Sequence, residues 1–239
     1  MTNLYAQLAE FLGEDPFSLF LAHVGTFAGA ISGVRLASVK RFDWFGAFVV
    51  GFATALGGGT LRDFCLDVSP FWMKEPSYIV TTFLACVAVA LFGRRFISEK
   101  ITWFIFDTIA ISLFTVFGLE KALLLSYPWW AAIMMGVITA VFGGVLRDIL
   151  INDVPLIFRK ELYAMACVAG AVLYVVLYYC DIDSRICSLC CVLLIFVLRA
   201  LAIKYKWSVP VLRGHAHRLP FRHHAKPAPR AVKNDTPGR

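Results

Sequence analysis

Long apolar stretches recur along the chain, separated by short segments that carry most of its charges. Four stretches contain no Asp, Glu, Lys or Arg: Trp44–Leu61, Pro76–Gly93, Ala122–Leu146 and Leu162–Cys180. Since about 20 apolar residues in a helix cross the hydrocarbon core of a bilayer, each stretch is close to the length of a membrane span. The alternation of apolar and polar residues typical of an outer-membrane barrel is absent from the sequence. The pattern therefore predicts an all-α membrane protein.

This pattern predicts seven transmembrane helices, at residues 18–37, 45–64, 78–97, 101–122, 128–150, 162–181 and 186–204. The connections between them are short, as in a compact helical bundle. An N-terminal segment, 1–17, precedes the first helix. The last segment, 207–239, contains five prolines among scattered basic residues, and we expect it to be a disordered tail.

An internal repeat with an offset of 85 residues runs through the first six predicted helices. The alignment needs no gap from residue 22 to residue 163, and we call two residues that it aligns repeat mates. Identical repeat mates include Gly33 and Gly118, Trp44 and Trp129, Gly51 and Gly136, Thr54 and Thr139, Pro70 and Pro155, and Tyr78 and Tyr163.

Each copy of the repeat contains three predicted helices, an odd number, so the second copy must enter the membrane from the opposite side. The expected fold is therefore two inverted three-helix repeats, at 18–97 and 101–181, related by a pseudo-two-fold axis in the membrane plane. A seventh helix, 186–206, lies outside this symmetry. The fold class is an all-α membrane protein with a 3+3+1 arrangement of helices.

The composition indicates that lipid is the solvent of much of the chain. Of the 239 residues, 59% are hydrophobic and 16% are charged, whereas a soluble domain has about 25% charged residues. Most of the net charge of +7 comes from residues 207–239, which carry seven basic residues and one acidic residue. We expect this basic tail to contact anionic lipid headgroups. Nucleic-acid binding is not expected, because no aromatic or folded platform accompanies the tail.

The distribution of Lys and Arg among the loops predicts the orientation in the membrane. The basic loops near residues 40, 95 and 160 share one side with the tail, and the other side receives the acidic segment 1–17. The positive-inside rule places the N-terminus outside and the C-terminus in the cytoplasm. The segment 1–17 has no basic region before an apolar run, so we expect no cleaved signal peptide.

Two glycine motifs occupy matching positions in the second and fifth predicted helices: Gly57-Gly58-Gly59-Thr60 and Gly143-Gly144. Consecutive glycines weaken a helix by about 1 kcal/mol each relative to alanine and permit a kink that frees backbone carbonyls. Within a bilayer, such carbonyls must face protein or a water-filled cavity. Two breaks at matching positions of inverted repeats predict a pore or binding site at the midplane. The alternative is that the glycines only let neighbouring helices approach closely.

An Arg-Asp pair follows each glycine motif, Arg62-Asp63 in the first repeat and Arg147-Asp148 in the second. Neighbouring residues do not share a helix face, so we do not expect either pair to neutralise itself. The functional interpretation is a charged vestibule at each end of a pathway. The structural alternative is an arginine that reaches the membrane interface beside an aspartate that caps the next helical turn.

Other polar side chains also lie within the predicted spans. Asp107 lies within the fourth helix, His23 within the first, and Thr54 and Thr139 within the second and fifth. Ionisable groups in a bilayer are costly and by default mark a pathway or a proton relay. For His23 the alternative is a neutral core histidine with one backbone partner. No catalytic constellation, cofactor motif or complete metal-ligand set is visible in the sequence, so we expect neither an enzyme nor a cofactor.

The motif GGGTLRD at residues 57–63, followed by Pro70, Phe71-Trp72 and Pro76-Ser77-Tyr78, resembles the prokaryotic TRIC (trimeric intracellular cation) channel family. It is equally similar to the bacterial glycine-transporter domain. The resemblance covers roughly residues 18 to 206. It implies a homotrimer in the bacterial inner membrane, with a potassium-permeable pore through each protomer at the kinked second and fifth helices. The sequence departs from the family pattern at Phe142, where a third glycine is expected, and at Ala22, where Asp is common.

These observations leave three functions open. The first is a channel for potassium or another small monovalent cation. The second is a secondary transporter of a small zwitterionic amino acid such as glycine, whose carboxylate and ammonium groups would meet amide ends and carbonyls of the broken helices. The third is a structural membrane scaffold that supports no flux.

Overall fold

The computed structural model of the chain describes residues 16–97, 100–159, 162–205 and 207. It contains seven long helices: α1 Pro16–Val39, α2 Trp44–Cys65, α3 Ser77–Ile97, α4 Lys100–Leu124, α5 Trp129–Leu150, α6 Ala164–Tyr179 and α7 Ser184–Lys204. A single α-helical turn, Phe71–Lys74, follows α2, and a 3-10 turn, Leu156–Phe158, follows α5. The predicted helices are therefore confirmed, each with both ends within two residues of the expected bounds.

Several predicted features lie outside the described residues. They include the N-terminal segment up to residue 15, the basic tail from residue 208 onward, and Lys160. The side chains of Arg94, Arg95 and Lys100 are also not described.

Five of the described helices are long and apolar enough to cross a membrane: α1, α2, α4 from Trp103 onward, α5 and α7. Two shorter apolar helices are found at Ser77–Gly93 and Ala164–Tyr179. Large apolar side chains cover much of the outer surface, with Trp44 69% exposed and Phe45 74% exposed. Such a surface fits lipid as its solvent, because monomeric proteins in water rarely expose large continuous apolar patches.

Helices α2 and α5 form the centre of the bundle and pack against each other. Helix α1 packs against α2 and α3, and α4 packs against α5 and α1. Helix α7 packs against α6 and α4. We call α1–α3 the first bundle and α4–α6 the second; the α2–α5 and α1–α4 contacts join them, and α7 packs against α6 and α4 of the second.

The ends of α2 and α5 repeat each other in backbone detail. The residue two positions after each helix has a positive φ, 55° at Asp67 and 57° at Asn152, a conformation that Asp and Asn tolerate better than most residues. The next amide donates back to the helix, from Val68 N to Asp63 O at 3.0 Å and from Asp153 N to Asp148 O at 2.8 Å. These bonds satisfy carbonyls that the helix end leaves free. The 85-residue repeat therefore extends to the turns.

Each bundle has its own apolar core, and each core also contains one buried residue from the other repeat. Leu66, just after α2, is buried in the core of the second bundle. Its repeat mate Ile151, just after α5, is buried in the core of the first. Because both side chains are removed from solvent, with 5% and 3% exposure, each bundle anchors the helix end of the other.

Candidate functional site

The two glycine motifs meet where α2 crosses α5. A Cβ atom added to Gly58 would collide with the carbonyl oxygen of Thr139, and one added to Gly143 would collide with the carbonyl oxygen of Thr54. Gly58 and Gly143 are repeat mates, as are Thr54 and Thr139, so the contact is reciprocal. Reciprocal contacts of this kind are expected between two elements that are related by a two-fold axis. The axis passes between α2 and α5, which run antiparallel at the crossing.

The two threonines are fixed in the same way in both repeats. The Thr54 hydroxyl donates to Val50 O at 2.6 Å, and the Thr139 hydroxyl donates to Met135 O at 2.6 Å. Behind them, a Cβ added to Gly33 or to Gly118 would collide with the nearer threonine hydroxyl. Since the hydroxyls bond within their own helices, the backbone carbonyls are the polar groups presented at the crossing.

The remaining members of the glycine motifs also make close contacts. An added Cβ would lie 2.5 Å from Leu146 Cδ1 at Gly57, 2.5 Å from the Phe71 ring at Gly59, and 2.8 Å from the Tyr163 hydroxyl at Gly144. The Thr60 hydroxyl donates to Leu56 O at 2.7 Å and accepts a hydrogen bond from Trp72 Nε1 at 3.0 Å. Both helices are α-helical throughout. Close helix approach, the alternative considered above, is thus present, and a pore at a glycine kink stays a prediction.

The first Arg-Asp pair is bonded to itself, contrary to expectation. Arg62 Nε and Nη2 lie 2.8 and 2.7 Å from Asp63 Oδ1, and Lys121 Nζ of α4 lies 2.7 Å from the same oxygen. The expectation was wrong because the long arginine side chain, in the last turn of α2, folds back to its neighbour. The second carboxylate oxygen, Asp63 Oδ2, accepts from the Phe71 amide at 2.9 Å and caps the next helical turn.

The second Arg-Asp pair repeats this geometry. Arg147 Nε donates to Asp148 Oδ1 at 2.9 Å, and Asp148 Oδ2 accepts from the Leu156 amide at 2.9 Å. The structural alternative is therefore correct for the aspartates, which cap the following turns. The arginines are buried beside these aspartates, with Arg62 6% exposed and Arg147 fully buried, and their position relative to a membrane interface stays a prediction.

Asp107 joins three helices at the Arg147 end of the bundle. Its Oδ1 lies 2.7 Å from Arg147 Nη1, and its Oδ2 lies 3.1 Å from Arg199 Nη1 of α7. Ser32 of α1 accepts from Arg147 Nη1 at 2.8 Å. The Arg199 guanidinium is flanked by aromatic rings, with the Tyr163 ring centroid at 4.7 Å. Buried charges are tolerated when they are paired, as these are, although Arg147 Nη2 has no hydrogen-bond partner among the described residues.

The Arg62 end of the bundle is open by comparison. A cavity of about 830 Å³ is lined there by Arg62, Lys121 and Tyr78 among polar residues and by Ala22 and Phe114 among apolar ones. We call it the Arg62 cavity. The two vestibules expected from the sequence thus differ, because Arg62 borders open space and Arg147 is enclosed by ionic partners.

His23 has the surroundings of a structural histidine. Its Nδ1 donates to Leu19 O at 2.8 Å, and Ser77 Oγ lies 2.9 Å from its Nε2. The ring stacks on Tyr78, with the centroids 4.6 Å apart. With Nδ1 donating, the neutral ring can accept from the Ser77 hydroxyl at Nε2, so both ring nitrogens are satisfied.

Three ionisable residues of the protein interior were not singled out from the sequence: Lys121, Arg199 and Glu120. Glu120 is fully buried, and its Oε1 accepts from the hydroxyls of Ser188 at 2.6 Å and Tyr174 at 2.9 Å. All three residues lie inside predicted spans. The rule by which Asp107 was chosen, that an ionisable residue inside a predicted span is a candidate functional residue, would therefore have found them as well. Within the part of the chain that the structure describes, no group of three or more His, Cys, Asp or Glu side chains has the arrangement of a metal site.

A family model described as Glycine transporter matches the chain twice, over residues 19–94 and 104–179. The chain belongs to the glycine-transporter family. The two matches have the same 85-residue offset as the repeat, so each copy of the family unit corresponds to one three-helix bundle. The family is one of channel-type and transporter-type membrane proteins, not an enzyme family.

Relatives in the glycine-transporter family are bacterial membrane proteins. A UPF0126 membrane protein of Vibrio cholerae is 36% identical over 190 residues, which cover 78% of this chain and 79% of the relative. The UPF0126 inner membrane protein YadS of Escherichia coli K12 is 35% identical over 192 residues, which cover 78% of this chain and 92% of YadS.

A solved structure with the same fold is the TRIC trimeric intracellular cation channel orthologue from Rhodobacter sphaeroides. It superposes with a TM-score of 0.76 and 33% sequence identity, and the match covers 79% of this chain and 97% of that channel. The predicted resemblance to both families is therefore confirmed. The structural neighbours of this member of the glycine-transporter family are TRIC cation channels.

Proposed function

We propose that the protein is a monovalent cation channel, permeable to potassium, with a pathway through each protomer at the crossing of α2 and α5. The single observation that carries the proposal is the reciprocal contact of Gly58 and Gly143 with the carbonyls of Thr139 and Thr54. Where a glycine faces a carbonyl, no side chain covers the backbone oxygen. Carbonyl oxygens are the groups that replace the hydration shell of potassium in channels. A small displacement of the two helices would expose oxygens from both repeats to one path.

In this proposal the membrane arrangement is the inverted 3+3+1 topology, with the Arg62 end outside and the Arg147 end in the cytoplasm. Three pairings support it. Lys121 reaches Asp63 at one end, while Asp107 reaches Arg147 and Lys40 reaches Asp153 at the other, the last pair 2.8 Å apart. Each pair joins residues that the topology puts on the same side. The homotrimer is also part of the proposal, and it is supported by the trimeric Rhodobacter sphaeroides channel.

The described conformation is closed in this account. The Arg62 cavity reaches toward the crossing from one end, whereas Asp107, Arg147 and Arg199 form a buried ionic cluster at the other. Conduction requires this cluster to separate. The energetic cost of separating buried, paired charges favours the closed state until another interaction replaces them.

The second candidate function is a secondary transporter of a small zwitterion such as glycine. A cavity that is open toward one end of the bundle and closed at the other is the arrangement that alternating access requires. The name of the family points to the same class of substrate.

A liposome flux assay separates the two functions. The purified protein is reconstituted, and potassium flux, sodium flux and uptake of labelled glycine are measured in parallel with empty liposomes. The channel proposal expects potassium flux that rises linearly with the gradient and no glycine uptake above the control. Saturable glycine uptake without potassium flux would establish the transporter instead, and the absence of all three fluxes would favour a scaffold.

A further inference from the structure

The two ends of the bundle differ at one pair of repeat mates, Ala22 and Asp107. At the closed end, the Asp107 carboxylate accepts a hydrogen bond from Arg147 Nη1 at 2.7 Å. At the open end, the corresponding position holds the methyl group of Ala22, which lines the Arg62 cavity together with Arg62. The second repeat thus supplies its own carboxylate to its arginine, and the first repeat has space at the equivalent place.

The charges around this space are unbalanced. Arg62 and Lys121 share a single carboxylate oxygen, Asp63 Oδ1, at 2.7 Å each. The side chain of Asp63 is fully buried, and that of Arg62 is 7% exposed, so these charges are poorly solvated. Lys74 and Glu75 also line the cavity and are exposed, so these five side chains together still carry one net positive charge, which attracts an anion. The corresponding Arg147 is balanced by two carboxylates, Asp148 and Asp107.

Two residues with unused hydrogen-bond donors, Arg62 and Ser18, line the same cavity. Arg62 uses Nε and Nη2 on Asp63, and its Nη1 has no protein partner among the described residues. Ser18 lines the cavity, is 4% exposed, and its hydroxyl has no hydrogen-bond partner among those residues. An acceptor with two oxygens satisfies an arginine and a hydroxyl together, and charge-assisted bonds of this kind are the strong ones.

The apolar walls and the volume of the cavity favour an organic ligand. Leu19, Phe117 and Leu124 contribute apolar surface. A volume of about 830 Å³ lies within the range typical of small-molecule sites. We propose that the Arg62 cavity binds a small organic carboxylate, whose oxygens contact Arg62 and Lys121 in the place that Asp107 occupies in the other repeat. This site does not depend on ion conduction, and its occupancy is measured without flux.

The test uses the full-length protein in detergent and follows its thermal unfolding midpoint, Tm, by tryptophan fluorescence. The probes are sodium propionate, glycine, sodium phosphate and ethylammonium chloride, each titrated at constant ionic strength with sodium chloride. A ligand that binds only the folded protein raises Tm in a saturable manner. Propionate is expected to raise Tm, glycine is expected to do so through the same carboxylate, and ethylammonium is expected to leave Tm unchanged.

Four variants locate the site. Ala22→Asp supplies a tethered carboxylate, so we expect a higher Tm without ligand and no further rise with propionate, whereas Ala22→Asn retains the rise. Lys121→Gln weakens propionate binding by about tenfold or more, as expected for loss of a charge-assisted contact. Ser18→Ala weakens it several-fold. Lys40→Gln is the matched control, because Lys40 also pairs with an aspartate but at the opposite end, and it is expected to behave as the wild type.

Three outcomes would overturn the proposal. The first is a wild-type protein whose Tm does not respond to propionate or glycine. The second is a response to phosphate without one to propionate, which would indicate an inorganic anion site. The third is a propionate response in Ala22→Asp and Ser18→Ala equal to that of the wild type, which would place the ligand elsewhere on the protein.

Discussion

The carboxylate of Asp107 lies 2.7 Å from the guanidinium of Arg147, and both side chains are buried. Asp107 belongs to α4 and Arg147 to α5, and Arg199 of α7 bonds the other carboxylate oxygen. In our proposal, the helices that this ion pair joins must separate if a cation is to leave this end of the protein. It is the contact on which the closed state of our proposal depends.

Neutralising this contact is expected to open the pathway. In Asp107→Asn, the amide can no longer balance Arg147 and Arg199, so the closed arrangement loses its ionic stabilisation. We predict several-fold faster potassium flux into liposomes than with the wild type. Asp153→Asn is the matched control, since Asp153 forms an exposed pair with Lys40 at the same end, and it should leave the flux unchanged. Equal or lower flux in correctly folded Asp107→Asn would contradict the role given to this pair.

Much of the fold follows from the sequence because the repeat is encoded residue by residue. Gly33, Thr54 and Gly58 are identical to their repeat mates, so the sequence specifies the same close helix contacts in both repeats. The structure shows these contacts in both repeats. The lengths of the apolar runs also predicted the helix ends, because polar or turn-forming residues end each run.

The ionic partners could not be predicted in the same way. Asp107 bonds Arg147 and Arg199, residues 40 and 92 positions away. No local rule pairs side chains over such distances, and the helix-face argument was wrong for Arg62 and Asp63 because it ignored the reach of arginine. The departure at Ala22 was visible in the sequence, but the cavity that it borders became visible only when α1, α2 and α4 were placed together.

The capping aspartates are expected to matter more than exposed ones. Asp148→Ala removes one of the two carboxylates that balance the fully buried Arg147, and it removes the acceptor of the Leu156 amide. Breaking a buried pair on one side costs about 3–5 kcal/mol. In Asp153→Ala the lost pair is exposed, and the cost is about 0–1 kcal/mol. Thermal unfolding of both variants in detergent should show a much larger fall in Tm for Asp148→Ala, and equal shifts would contradict the assignment.

Glu120 allows a separate test of whether a buried carboxylate in the core has to be ionised. It is fully buried, forms no ion pair among the described residues, and accepts two hydrogen bonds at Oε1 from Tyr174 and Ser188. Glu120→Gln keeps that acceptor and removes the ionisable group, so we expect a change in unfolding free energy below about 1 kcal/mol. Glu120→Ala loses the acceptor and leaves a cavity, and its Tm should fall clearly. A large loss of stability in Glu120→Gln would show instead that the ionised carboxylate is needed.

The reciprocal glycines should respond equally to an added methyl group. In Gly58→Ala and Gly143→Ala the new Cβ collides with a backbone carbonyl of the opposite helix, and overpacking of this kind costs about 1–3 kcal/mol. Gly25→Ala is the control, because its nearest neighbour is the Phe114 ring at 3.1 Å, a side chain that can move. We expect similar falls in Tm for Gly58→Ala and Gly143→Ala and a smaller one for Gly25→Ala. Unequal falls in the first two would contradict the two-fold relation at the crossing.

Single-channel recording in planar bilayers measures the proposed pathway between α2 and α5 itself, because the conductance of an open pore reports its narrowest part. The potassium conductance of the wild type is compared with that of Gly58→Ala, Gly143→Ala and Gly25→Ala, counting only channels that open. We expect a potassium conductance that falls severalfold in Gly58→Ala and Gly143→Ala and is retained in Gly25→Ala. An unchanged conductance in both crossing variants, or no potassium current from active, folded protein, would contradict a cation pathway between α2 and α5.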